Sequence, residues 1–309
     1  MYKKLFYIML VSFFLITPLY AQEEPEEVEK SAYTIPSDSH EKIEEIKTPY
    51  IESFNSKFAV RLSAYKSSLD FDQTYNTAKK SYNSNSPLEI GLGFLYGNFG
   101  LEFRKQTSVF FDRNYPKTET QEIRLNYYSK STVFEFQKKD YKGFHTGSKE
   151  ETDLTLKCLG IFGQYIWNNK KYSWRAAFDL YDRQYSSAGS FLLGGNVFQV
   201  NPKMELPESY KKKYTLVTPN AGYAYTWVYK GHLFFALSLS LGCGIVHESS
   251  NSKNYLAVSH SFHGAAGYHW GDISFMISYQ TFVFDTALDD KVEDSFDSSL
   301  LQCSVAKRF

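Results

Sequence analysis

Two serines and three histidines crowd into one stretch of the chain: Ser259, His260, Ser261, His263 and His269. A hydroxyl beside an imidazole is the raw material of nucleophilic hydrolysis, in which the ring nitrogen takes the proton of the attacking oxygen. Strict alternation puts Ser259, Ser261, His263 and His269 on one face and leaves His260 on the other with Val258 and Phe262. No G-x-S-x-G elbow accompanies them. A hydrolase built on Ser261 and His263 is therefore the lesser expectation, and no catalytic residue is assigned. Joint metal ligation by His263 and His269 fails on distance, because six residues of extended chain span about 20 Å. No metal or cofactor site is assigned elsewhere.

The other chemically capable set is charged: Arg61, Glu89, Glu102, Arg104, Glu122, Arg124, Glu135, Lys139, Arg175, Asp179 and Arg183. Each lies on the face of its segment opposite the apolar residues. If those faces meet in a confined interior, charges of both signs should pair, because an unpaired charge there is costly. A ring of one sign, the mark of ion selectivity, is absent. Arg175, Asp179 and Arg183 repeat every four residues and read as a ladder on one strand. The formal net charge of zero argues against a nucleic-acid partner. The cysteines Cys158, Cys243 and Cys303 are odd in number and lack metal spacing, so they read as small residues on apolar faces.

Those residues need elements to hold them, and the elements are written in a period of two. In 232–245, Leu233, Phe235, Leu237, Leu239, Leu241, Cys243 and Ile245 share one face, while Ala236, Ser238, Ser240, Gly242 and Gly244 share the other. The same rule runs through 58–67, 87–96, 99–109, 120–129, 131–140, 153–167, 171–183, 215–229, 254–269, 272–283 and 297–309. Turn-forming pairs at Gly97–Asn98, Ser129–Lys130, Asn168–Asn169, Lys230–Gly231 and Gly271–Asp272 alternate with long polar links. Strands of about ten residues with alternating short and long connections predict an all-β fold, an antiparallel transmembrane β-barrel. Twelve strands are expected; a register error would make the count ten or fourteen. Aromatics at 18% with a negative mean hydropathy fit the same class, since rings line both membrane interfaces.

The ends of the chain carry an address. Lys3 and Lys4, the apolar run Leu5–Ile16 and Ala21 read as a signal peptide over 1–21. An acidic, ring-poor stretch over 22–51 reads as a disordered periplasmic linker, and 52–309 as the barrel. Phe309 closes an alternating final strand and resembles the signal read by the barrel-insertion machinery. Outer-membrane lipid and lipopolysaccharide would then surround the wall, in the cell outer membrane.

One segment, 184–214, fits no strand in this count and is expected as a long external loop. Its apolar heart, Ser187, Gly189, Phe191, Leu193, Gly194 and Gly195, would either fold into the barrel mouth or lumen as a plug or extend the strands above the membrane. The runs Asn85–Phe94, Tyr172–Phe178 and Ser187–Gly195 resemble a Gram-negative outer-membrane family catalogued only as a domain of unknown function. The resemblance spans roughly 50–309; it implies an outer-membrane barrel and no activity. The expected role is a narrow or loop-plugged barrel passing or gating a small solute or lipid-like molecule. The competing role is a non-transporting envelope component acting through external loops or through a periplasmic partner of the acidic lead.

Overall fold

The computed structural model describes residues 50–53, 58–75, 78–147, 152–204, 210–250, 252–287 and 294–309. The expected signal peptide and most of the acidic stretch lie outside the described residues.

Period-two sequence yields twelve wall strands: β1 (Phe58–Tyr75), β2 (Glu89–Tyr96), β3 (Phe99–Gln106), β4 (Glu119–Tyr128), β5 (Thr132–Phe144), β6 (Thr152–Ile166), β7 (Ala188–Met204), β8 (Tyr214–Tyr229), β9 (Leu233–Glu248), β10 (Lys253–Trp270), β11 (Ile273–Ala287) and β12 (Asp294–Arg308). Each pairs antiparallel with its neighbours in sequence. β12 returns to β1, with Arg308 opposite Ala59 and Asp294 opposite Gln73. The chain is a closed antiparallel transmembrane β-barrel. Closure satisfies the backbone donors and acceptors that an open edge would leave bare in lipid.

Alternation then sorts the side chains. On β9, Leu233, Phe235, Leu241 and Ile245 are exposed, while Phe234, Ala236, Ser238 and Ser240 are buried. Outward apolar residues recur on the other strands, as at Leu62, Ile123, Phe191, Val258 and Val305. At the short-turn end the outward residues become rings, with Tyr96, Phe99, Trp167, Tyr229, Trp270 and Phe309 exposed as an interfacial girdle. The turn between β8 and β9 closes with the His232 N–H donating to the Tyr229 carbonyl at 3.2 Å. Its central residues Lys230 (φ 50) and Gly231 (φ 65) are both left-handed, as a type I′ hairpin turn requires.

Two segments depart from the expectation, and they exchange roles. The stretch 187–195 is no external loop: Ala188–Met204 pairs with β6 on one side and β8 on the other, with Leu192 opposite Ile166 and Gly222. The stretch 171–183 is no wall strand. Lys171–Ser187 turns into the lumen at the short-turn end and makes one π-type helical turn, Arg175–Asp179. Leu180 breaks it at φ 64, and a short strand Asp182–Gln184 follows. That strand pairs outside the wall, antiparallel to Ile51–Ser53. The exchange is one for one, so the count stays at twelve, and Asn168–Asn169 opens a plug rather than a hairpin.

The interior stacks in three layers. At the short-turn end the plug residues Tyr172, Ala177, Leu180 and Tyr181 pack on Ala59, Tyr128, Ile166, Leu192 and Phe234. At the long-loop end Phe198, Phe284, Phe296, Leu69, Tyr141 and Tyr214 fill the lumen, with Phe162 and Phe282 packed beneath. Between them lies a polar layer with a chamber of about 140 Å³. Cys158 faces inward in the upper layer beside Leu154 and Leu156, which corrects its expected place on the lipid face. The inward face of β6 is apolar there because that end of the lumen is filled, not wet. Cys243 and Cys303 are exposed on the outer wall.

Candidate functional site

The polar layer is built on two unlike half-walls. Along β3, β4 and β5 the register sets Glu102 opposite Arg124, Arg104 opposite Glu122, and Glu122 opposite Lys139. Acids and bases two residues apart on each strand thus make a checkerboard. The Arg104 Nε donates to Glu102 at 2.7 Å and its Nη1 to Glu122 at 2.9 Å. Arg124 and Gln137 donate to the other Glu122 oxygen at 3.1 and 3.0 Å. Lys139 lies 3.3 Å from Glu122, and Arg124 3.6 Å from Glu135. Arg61 of β1 completes the row, bonded to Glu102. Gly91 and Gly93 stand opposite Arg104 and Glu102 on β2, so no side chain there competes for the space.

Arg104 is further held over the face of Tyr65, 3.9 Å from its ring centroid. Glu89 belongs to the same wall, with no ion pair among the described residues: Ser67 and Thr120 donate to it at 2.8 and 3.0 Å. Such a network replaces the water that each buried charge loses; removing one member strands another.

The opposite half-wall is nearly uncharged, with inward residues Ser238, Ser240, Ser259, Ser304 and Gln302. Small hydroxyls leave room on that side, and the plug occupies part of it. Trp174 and Phe178 pack on His263, at ring separations of 5.4 and 5.6 Å.

Charged side chains moor the plug. Asp179 accepts from Arg61 at 3.3 Å, and the Leu180 carbonyl accepts from Arg308 at 2.9 Å. Arg183 donates to the Gly231 carbonyl at 2.9 Å and bonds His232 at 3.0 Å. Arg175 lies 3.5 Å from Asp182 inside the plug itself. The expected strand ladder of Arg175, Asp179 and Arg183 is thus a set of plug contacts: a helical turn and a left-handed Leu180 divide the three residues. Arg308, Trp174 and His232 were missed from sequence, since nothing in their spacing marks them as neighbours of a segment far away in the chain.

Among the histidine stretch, His263 touches rings, while His269 shares a 2.6 Å hydrogen bond with Ser274. That hydroxyl also accepts from Arg308 at 2.8 Å, and both His269 and Ser274 are buried. The pair anchors the barrel end and offers no surface to a substrate. Among the described residues no group of three His, Cys, Asp or Glu is placed to hold a metal ion. Phe309 sits at the short-turn rim, its N–H donating to the Phe58 carbonyl at 2.9 Å and its ring 5.9 Å from that of Phe58.

At the opposite rim, Asn85 ties loops together. Its amide nitrogen donates to the carbonyls of Asp112, Tyr115 and Pro116 at 2.7, 3.1 and 3.2 Å, and its oxygen accepts from the Asp112 N–H at 3.0 Å.

The family described as "Domain of unknown function (DUF4421)" matches residues 45–298. No curated protein matches the chain. Among solved structures, an outer membrane channel from Pseudomonas putida F1 is similar at 11% identity and a TM-score of 0.42, covering 84% of this chain and 97% of that one. The outer membrane protease OmpT from Escherichia coli is similar at 6% identity and a TM-score of 0.40, covering 82% and 96%. A FadL homologue from Pseudomonas aeruginosa is similar at 9% identity and a TM-score of 0.32, covering 82% and 90%. None of these likenesses transfers a role to the chain.

Proposed function

Because this chain belongs to the family described as a domain of unknown function, DUF4421, which brings no activity with it, we propose its role from the lumen alone. It is an outer-membrane barrel, closed at rest, that passes or gates a small solute when the segment Lys171–Ser187 is displaced. The short-turn end faces the periplasm, and the long loops face outward. One observation carries this reading: among the described residues the backbone of the plug strand Asp182–Gln184 pairs with Ile51–Ser53 and not with a wall strand. A segment that makes no backbone ladder with a wall strand among the described residues can leave while every wall ladder stays intact. Its partner strand continues from the acidic lead, so tension on that lead would act on the plug directly.

Two closures stand in the path, the plug and the aromatic layer above the chamber. Single-channel recording in a planar bilayer tests them separately. The intact barrel should be silent. Deleting Lys171–Ser187, or replacing Phe198 and Phe296 with Ala, should give rare or small steps, and combining the changes should give stable ones. Silence in the combined variant, with the barrel shown to be folded by its heat-modifiable mobility on gels, overturns the gating reading. That outcome would favour an envelope component acting through its outer loops, for which the knot around Asn85 is the supporting observation.

A further inference from the structure

We propose that the mid-lumen chamber is a binding site for a small uncharged polyhydroxylated solute, a polyol or small sugar. The assignment deepens the gating reading and rests on it for the solute's route, though not for binding itself.

Size comes first. A chamber of about 140 Å³ is close to the cavity volume that accepts a benzene-sized molecule. Chemistry narrows the occupant. Side-chain amides converge on the space from three directions: Gln164 on β6, Asn196 on β7 with Asn220 on β8, and Gln280 on β11. A carboxamide offers both donors and acceptors, as a hydroxyl does, so a cluster of amides matches a molecule covered in hydroxyls. Their bonds to one another are long, 3.5 Å from Gln164 to Asn220 and 3.3 Å from Asn220 to Asn196. Gln280 makes no side-chain hydrogen bond among the described residues. These groups thus hold capacity in reserve without being sealed away, a state that a ligand or water would relieve.

Charge argues for neutrality. The charged side chains lining the chamber, Glu135 and Lys139, are already matched, Lys139 to Glu122 and Glu135 to Arg124. An ionic solute would have to break one of those pairs. The remaining lining mixes hydroxyls, among them Ser238, Ser240, Ser261 and Ser298, with rings, Trp174 entering from the plug. Rings pack well against the C–H face of a sugar or polyol. An apolar solute would leave the amides unpaired, which costs affinity. Because Trp174 belongs to the plug, withdrawal of the plug would remove one side of the site. Occupancy and closure are therefore coupled.

The test uses the full-length barrel in detergent, titrated with xylitol and ribose and, as controls, glycine betaine and octanoate, read by isothermal titration calorimetry. Xylitol or ribose should bind saturably. Asn220→Leu and Gln280→Leu should each weaken binding by about tenfold, the effect of losing a good hydrogen bond in a buried site. Both variants must keep wild-type heat-modifiable mobility. Uptake of labelled xylitol into vesicles by the barrel lacking both closures is measured in parallel. Binding of betaine or octanoate in place of the polyols overturns the ligand class, as does absence of polyol binding in the folded barrel. Binding without uptake leaves the site standing and removes the gating reading; uptake without binding does the reverse.

Discussion

Asp179 of the plug accepts a hydrogen bond from Arg61 of β1 at 3.3 Å, while the other terminal nitrogen of Arg61 is held by Glu102. One guanidinium therefore joins the plug to the charged half-wall. Arg61→Met should strand Asp179 and weaken the hold on Glu102, at a cost of about 3–5 kcal/mol for a broken buried pair. The temperature at which the barrel loses its folded gel mobility should drop clearly. Asp179→Asn keeps an acceptor and should be milder. Equal mobility transitions for Arg61→Met and wild type would show that the network does not hold the plug.

Glu52 lies opposite Arg183 in the two-stranded pairing of the N-terminal strand with the plug. Antiparallel partners approach within about 5.5 Å between Cα atoms, inside disulfide range. In a background with Cys158, Cys243 and Cys303 replaced by Ser, the pair Glu52→Cys and Arg183→Cys should cross-link under air. Peptide mass mapping without reductant reads the link. A folded barrel that stays fully reduced would mean that the register is different.

Asn85→Ala deletes four hydrogen bonds at the outer rim at once. A loss of about 2 kcal/mol is expected locally, since several carbonyls there lose their donor together. The loop 107–118 should become cleavable by added protease on intact barrels, with the wall itself resistant. Unchanged cleavage would move the knot's origin elsewhere.

Asp70 lies on the outer end of β1, beyond the apolar belt and opposite Asp297. Burial, together with Asp297 and Asp72, pushes its carboxyl up to about 6 from an ordinary value near 3.8. A raised folded value means that the folded state binds the extra proton. The stabilising contribution is complete below about pH 4 and is lost as pH rises through 6. Asp70→Asn should therefore stabilise the barrel at pH 7.5 and make no difference at pH 4. A gain that persists unchanged at pH 4 would show that repulsion is not its source.

Much of this architecture is legible in the residue pattern. The outward row on β9, Leu233, Phe235, Leu241 and Ile245, announces lipid on one side and a filled interior on the other. The row Glu102, Arg104, Glu122 and Arg124 lies on inward positions for the same reason, and opposite signs in one interior must meet. Asn85 was visible only as part of a familiar run of residues. Its four bonds run to a loop whose path no local spacing describes.

The sequence by itself determined that strands form, which face of most of them meets lipid, and that an even number of them closes. Those properties follow from a period of two and from the need to pair every backbone group in a membrane. Which of two consecutive segments enters the wall was decided by the tertiary structure. Both 171–183 and 188–204 alternate well enough to be strands, but a wall strand must satisfy a neighbour on each side. Ala188–Met204 does so along β6 and β8, with Phe191, Leu193 and Val197 turned to lipid. The other segment carries Arg175, which pairs within it with Asp182, and Asp179 and Arg183, whose partners Arg61 and His232 reach them only once the barrel has closed around them.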